Sequence, residues 1–167
     1  MSFHMHLRAI RETEIQDDYS WLGDFMEAAW SDHWEAERDA GIAHAIEKDF
    51  GPVHELHLAA AALVDGAVES RECELPVYGG RPVYHPSHDQ PPFVLLTAAE
   101  VREASDFLTT ASFDALWEAA GAKIAAPYRG WDEAEVKDIF LGHHAGLGAF
   151  YGRAASTGHA VIKAFWY

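Results

Sequence analysis

Phe93-Val94-Leu95-Leu96-Thr97-Ala98-Ala99-Glu100-Val101 carries two structural signals in nine residues. The four leading apolar residues form a short continuous run, the mark of a strand covered on both faces. The next four form a capping box, in which the Thr97 hydroxyl and the Glu100 carboxylate satisfy amides that a first helical turn leaves free. A buried strand feeding directly into a capped helix predicts helices layered on a sheet.

Downstream, the apolar spacing stays helical. Val101, Ser105 and Leu108 continue the first helix, and Ser112 opens a second with Phe113, Leu116, Trp117 and Ala120 inward and Gly121 closing it. Asp132 and Glu135 repeat the capping pattern ahead of the longest stripe: Val136, Ile139, Phe140, His143, Leu147, Phe150 and Ala154. Gly158 stops it, and residues 160–167 read as an apolar closing strand. Gly142, Gly146, Gly148 and Gly152 fall inside the helical pattern, where they permit close packing and form no phosphate loop.

Upstream, residues 74–84 read as a hairpin turning at Gly79-Gly80, with Pro82 confining one arm to an edge. Pro52 sits where a helix begins, followed by the stripe Val53, Leu56, His57, Ala60, Leu63 and Val64, and Gly66 stops it. Residues 42–49 read as a short helix after Gly41. Thr13 caps an earlier one through Ile15, Tyr19, Leu22, Met26 and Ala29 or Trp30, and the alternation from Met5 to Ile10 is a strand. The expected fold class is α+β: one domain over residues 1–167, its helices packed on a small mixed sheet that includes the N- and C-terminal strands.

Composition limits function. At 167 residues with 49% hydrophobic and 13% aromatic side chains, the chain can bury a core without metal or disulfides, which excludes a disordered or coiled-coil class. No run approaches the length of a membrane span, and the opening residues hold no apolar segment of a secretory signal. A lone cysteine, Cys73, suits a reducing cytoplasm. Lys and Arg number 12 against 27 Asp and Glu, a net charge of −15. Phosphate backbones and anionic membranes are bound by clustered cations, so neither nucleic acid nor membrane is an expected partner. The acidic excess serves solubility or steers in a basic protein partner. Protonating all 11 histidines would bring the charge to −4, so this character depends on pH.

The last two thirds of the chain resemble a known family. Leu95-Leu96-Thr97-Ala98-Ala99-Glu100-Val101 is similar to the "YLTPEEV" strand-to-helix step of the YfbM-like family of small bacterial proteins. The closing stretch Phe150-Tyr151-Gly152-Arg153-Ala154-Ala155-Ser156-Thr157-Gly158-His159-Ala160-Val161 resembles that family's last helix and strand, and His54-Glu55-Leu56-His57 its His-x-x-His segment. The resemblance covers most of residues 50–167. Val53 stands where the family often has tryptophan, Val94 where it often has arginine, and the segment 127–131 is one residue longer. It implies a mixed α and β fold and no assigned activity.

Candidate chemistry rests on histidines. His54 and His57 lie one helical turn apart and can face one point, yet HELH is one residue short of the HExxH zinc signature. His57 also lies on the apolar stripe, which makes it a core histidine. Tyr84, His85, Ser87, His88 and Asp89 crowd a loop, where sites preferentially lie and where turn composition alone also explains them. His143 is read as inward-facing and able to meet His57, giving a coupled buried pair. Ser87, Ser112 and Cys73 lack the sequence context of known nucleophiles. Trp34 and Trp131 fall near element ends as possible contact residues. The candidate pocket is therefore His54, His57, Tyr84, His85, His88, Trp131 and His143, with no motif demanding a metal or a cofactor. The expected function is that of a small non-catalytic binding protein. Its rival is a hydrolase or transferase, which requires at least two of His54, His57, His85 and His143 to converge around a cleft.

Overall fold

The computed structural model describes residues 3–63 and 70–167. In chain order these form β1 (His4–Ile10), a 3-10 turn, α1 (Tyr19–Ser31), α2 (Trp34–Asp39), β2 (Ala43–Glu47), α3 (Phe50–Leu58) and the single turn α4 (Ala60–Leu63). There follow α5 (Ser70–Glu74), β3 (Arg81–Val83), β4 (Phe93–Leu96), α6 (Ala98–Thr110), α7 (Phe113–Ala125), α8 (Glu133–Ser156) and β5 (Ala160–Trp166). Val64 and Gly66 of the expected helical stripe lie outside the described residues.

The fold is α+β, with helices on a five-stranded open sheet of order β2-β1-β5-β4-β3. The terminal strands are neighbours, paired from His4↔Trp166 to Ile10↔Ala160. The described pairs are all antiparallel, so the sheet is not of mixed direction. Alternation along the strands feeds two cores. Met5, Leu7, Val94, Leu96, Val161 and Phe165 face α3 and α5–α8. Ile10, Phe93, Leu95, Ile162 and Ala164 face Leu22 and Met26 of α1. Fully burying each such Leu, Ile or Phe contributes about 1.5–3 kcal/mol, so the long-range pairing prevails over local preference.

Both expected capping boxes are present, at Thr97–Glu100 and Asp132–Glu135. Elsewhere the chain departs from local pattern. Residues 42–49 hold the strand β2, not a helix, because pairing Met5↔Ile46 and Leu7↔His44 outweighs the helical preference of Ala and Glu. Asp18, not Thr13, caps α1. Helix α7 runs through Gly121, where any Cβ would collide with the Trp117 ring at 2.6 Å.

The expected hairpin over 74–84 is absent. The arm β3 pairs with β4 and, as Pro82 requires, forms the sheet edge. The segment before it is irregular, with Leu75, Pro76 and Val77 buried, and three of its carbonyls are taken by one cation: Lys163 Nζ, wholly buried on β5, donates to the oxygens of Leu75 (2.6 Å), Val77 (2.8 Å) and Gly79 (2.7 Å).

Candidate functional site

The buried stripe of α8 runs Val136, Phe140, His144, Leu147, Tyr151 and Ala154. It passes through His144 and leaves His143 about 100° around the helix. The expected meeting of His57 with His143 is therefore corrected: Nε2 of His57 lies 3.2 Å from Nδ1 of His144. Helix α3 delivers His57 to this point with no exposed surface, while Nδ1 of the same ring finds no hydrogen-bond partner among the described residues. Burial first, then the neighbouring His144 and His54, push the His57 pKa down to about 3, and burial also lowers His144. One proton serves the two facing nitrogens, so this is a neutral, packed pair.

His143 instead joins an unforeseen chain. Its Nε2 is 3.1 Å from Oδ2 of Asp49, whose Oδ1 accepts the Tyr128 hydroxyl at 2.5 Å. Burial alone would raise the Asp49 pKa. The hydrogen bonds from His143 and Tyr128 outweigh it and hold the carboxyl below its ordinary value. Burial and the Asp49 charge push Tyr128 up. No serine, threonine or cysteine among the described residues is hydrogen-bonded to His143, so the chain orients an imidazole without a nucleophile to activate. Residues 49, 128 and 143 come from three separate segments, and no spacing rule could have joined them.

His54, one turn before His57, is half-buried, its ring edge-on to Tyr78 (centroids 4.7 Å apart) and its Nδ1 buried with no hydrogen-bond partner among the described residues. The two rings help line a cup of about 330 Å³ together with Pro52, Ile124, Pro127 and the ion pair Glu55–Lys123. Burial lowers the His54 pKa, and the charges of Glu74 and Glu55 oppose it. Tyr84, His85 and His88 lie far along the chain in the loop after β3. There His85 Nδ1 is 2.6 Å from Ser87 Oγ and 3.0 Å from Asp89 Oδ1, and the Ser87 hydroxyl donates to Asp89. This brings Ser, His and Asp into contact, but both partners meet the same imidazole nitrogen. The ring cannot relay a proton between them as a hydrolytic triad does.

No two of His54, His57, His85 and His143 are hydrogen-bonded to each other, and no group of three or more His, Cys, Asp and Glu among the described residues could hold a metal ion. Trp131 is 59% exposed beside the cap Asp132, while Trp34 is stacked flat on the buried His6 (centroids 5.2 Å, 4°). The sheet end where β1 starts and β5 finishes bears a surface that periodicity did not reveal. The exposed Phe3 and Tyr167 meet edge-to-face at 5.1 Å, and Tyr78 stacks on Phe165 at 5.4 Å, its pKa raised first by burial and then by Tyr167 and Glu55.

No helix among the described residues is long and apolar enough to cross a membrane. No curated protein matches the chain. A crystal structure of YfbM from Escherichia coli, a protein of unknown function, is similar, with a TM-score of 0.58 at 14% identity over 98% of this chain and 99% of that one. That likeness is one of fold. A family model described as a domain of unknown function (DUF1877) matches residues 1–164. Matched over almost its whole length, the chain belongs to the DUF1877 family.

Proposed function

We propose that this is a non-catalytic cytoplasmic binding protein that docks a basic protein partner on the aromatic surface around Tyr78 and Tyr167. The observation that carries the reading is the cluster of exposed rings, Tyr78 at 44%, Tyr167 at 62% and Phe3 at 38%, in a chain of charge −15, with the Glu55–Lys123 ion pair beside Tyr78. Tyrosine supplies large rigid contact area with few rotatable bonds and is enriched among the residues that dominate binding energy. The acidic excess of the chain draws in lysine and arginine, which also pack on aromatic faces. The catalytic alternative needs His54, His57, His85 and His143 to converge, and among the described residues no two of these four are hydrogen-bonded to each other. Cys73, buried and unpaired, fits a reducing compartment.

The test is affinity capture from the native cytoplasm with the wild type and with Tyr78→Ala/Tyr167→Ala. The reading requires a partner of basic pI that the wild type retains and the double variant loses. Equal recovery by both proteins would refute it.

A further inference from the structure

Tyr19 of α1, Phe93 of β4, Trp166 at the end of β5 and Tyr167 beyond it line a pocket of about 300 Å³, with Asp89 and Gln90 also on its wall. That volume is at the small end of ligand sites, the size of a headgroup.

The rings stand as walls. The Tyr19 centroid is 4.8 Å from that of Phe93 with 51° between planes, and Phe93 is 6.2 Å from Trp166 at 74°. Such angles make a corner, not a stack. The Tyr19 hydroxyl donates to the Pro91 carbonyl (3.0 Å), with Gln90 Oε1 at 3.4 Å, which fixes that ring against the loop. Tyr19 and Trp166 are part-buried and Tyr167 is exposed, so all three keep accessible surface. The Trp166 Nε1 is buried, so this side chain does not meet the pocket through its polar atom. The guanidinium groups over rings among the described residues sit on Phe25 and Trp34, not on these.

The electrostatics favour a cation. Among the described residues no lysine, arginine or histidine lines the pocket, and Asp89 is its one carboxylate. The Ser87 hydroxyl and the His85 ring both meet Oδ1 of Asp89, while Oδ2 has no side-chain partner among the described residues. The Ser87 bond holds this carboxyl below its ordinary value, so it is ionised at neutral pH. Its charge reaches Tyr19, whose hydroxyl pKa is raised by burial first and then by Asp89. Ring faces are negative and attract cations, and the net charge of −15 adds a long-range pull. A lysine ammonium brings three donors, and one carboxylate would leave donors unmet. A trimethylammonium has no donor to strand and presents methyl groups to the rings.

We propose that this pocket binds a trimethylammonium group, its methyls against Tyr19, Trp166 and Tyr167 and its charge facing Asp89. Choline and the side chain of a trimethylated lysine share this chemistry. Only the second source, a lysine of the basic partner, rests on the docking reading.

Calorimetry and ligand-observed NMR test it with choline, N-acetyl-trimethyl-lysine amide, the unmethylated lysine amide and a neutral tert-butyl analogue of choline. Choline or the trimethyl-lysine amide is expected to saturate below about 5 mM, and the tighter of the two names the source. The unmethylated and neutral compounds should bind about tenfold more weakly. Asp89→Asn keeps the Oδ1 acceptor at an exposed side chain and should weaken the cation about fivefold. Trp166→Leu, with its thermal midpoint read alongside, should weaken it as much. Failure of both cations to saturate, equal binding of the neutral or unmethylated compound, or wild-type affinity in Asp89→Asn would overturn the proposal. Every variant keeps Tyr78 and Tyr167, so failure here leaves the docking reading to its own test.

Discussion

His57 and His144 share a hydrogen bond in the larger core, with the Nε2 of one ring 3.2 Å from the Nδ1 of the other. Protonating both rings would break the bond and bury charge. The folded pKa of His57 is about 3 against 6.5 in an unfolded chain, and His6 and His44 are lowered to about 4 by burial and by neighbouring histidines. Between those values the unfolded chain binds more protons, so stability rises with pH. It is fully present above about pH 6.5 and lost progressively as pH falls toward 3.

Urea unfolding should therefore show a midpoint that drops between pH 7.5 and pH 4.5. His57→Leu alone strands the His144 nitrogen and should cost about 1–3 kcal/mol at pH 7.5. His57→Leu/His144→Leu should lie closer to the wild type at that pH and drop less steeply on acidification. A pH-independent wild-type midpoint would contradict the assignment.

Local signals in the sequence carried much of this fold. Caps at Thr97, Ser112 and Asp132 act within one turn, and the runs at residues 93–96 and 160–166 are apolar enough to be strands in any context. Strand β2 was not legible, because its partner β1 lies far away in sequence and its own Ala-His-Ala-Ile-Glu reads as helical. The histidine pair was legible as an idea and displaced by one residue, since a long helical stripe fits either side of a 100° step. The Asp49–Tyr128 bond and the role of Lys163 depend on contacts between distant segments.

Lys163 anchors the 75–79 segment to the sheet through three carbonyls. Burial pushes its pKa well below that of an ordinary lysine, with the Glu100 charge opposing. Three acceptors match the three protons of an ammonium. Lys163→Met would leave them unsatisfied in the core and should destabilise by about 3–5 kcal/mol, read from denaturant unfolding. A loss below about 1 kcal/mol would mean that the carbonyls find other donors.

Gly146 makes room for His44. A Cβ there would lie 2.8 Å from His44 Cε1, while at Gly142 and Gly148 it would meet nothing within 4 Å. Gly146→Ala should lower stability by about 1–3 kcal/mol and Gly148→Ala should not, since alanine is the better helix former. Adding His44→Ala to Gly146→Ala should recover part of the loss in a double-mutant cycle. Additivity of the two changes would refute the contact.

The central claim is charge-steered docking of a basic partner on the Tyr78–Tyr167 surface. Its most direct measurement is the affinity for the captured partner as salt rises from 50 to 500 mM, for the wild type and for Tyr78→Ala/Tyr167→Ala. Docking of this kind predicts tighter binding at low salt, a steep fall as charges are screened, and about a tenfold or greater loss in the variant at every salt concentration. An affinity unchanged by salt and by the tyrosine substitutions would contradict it.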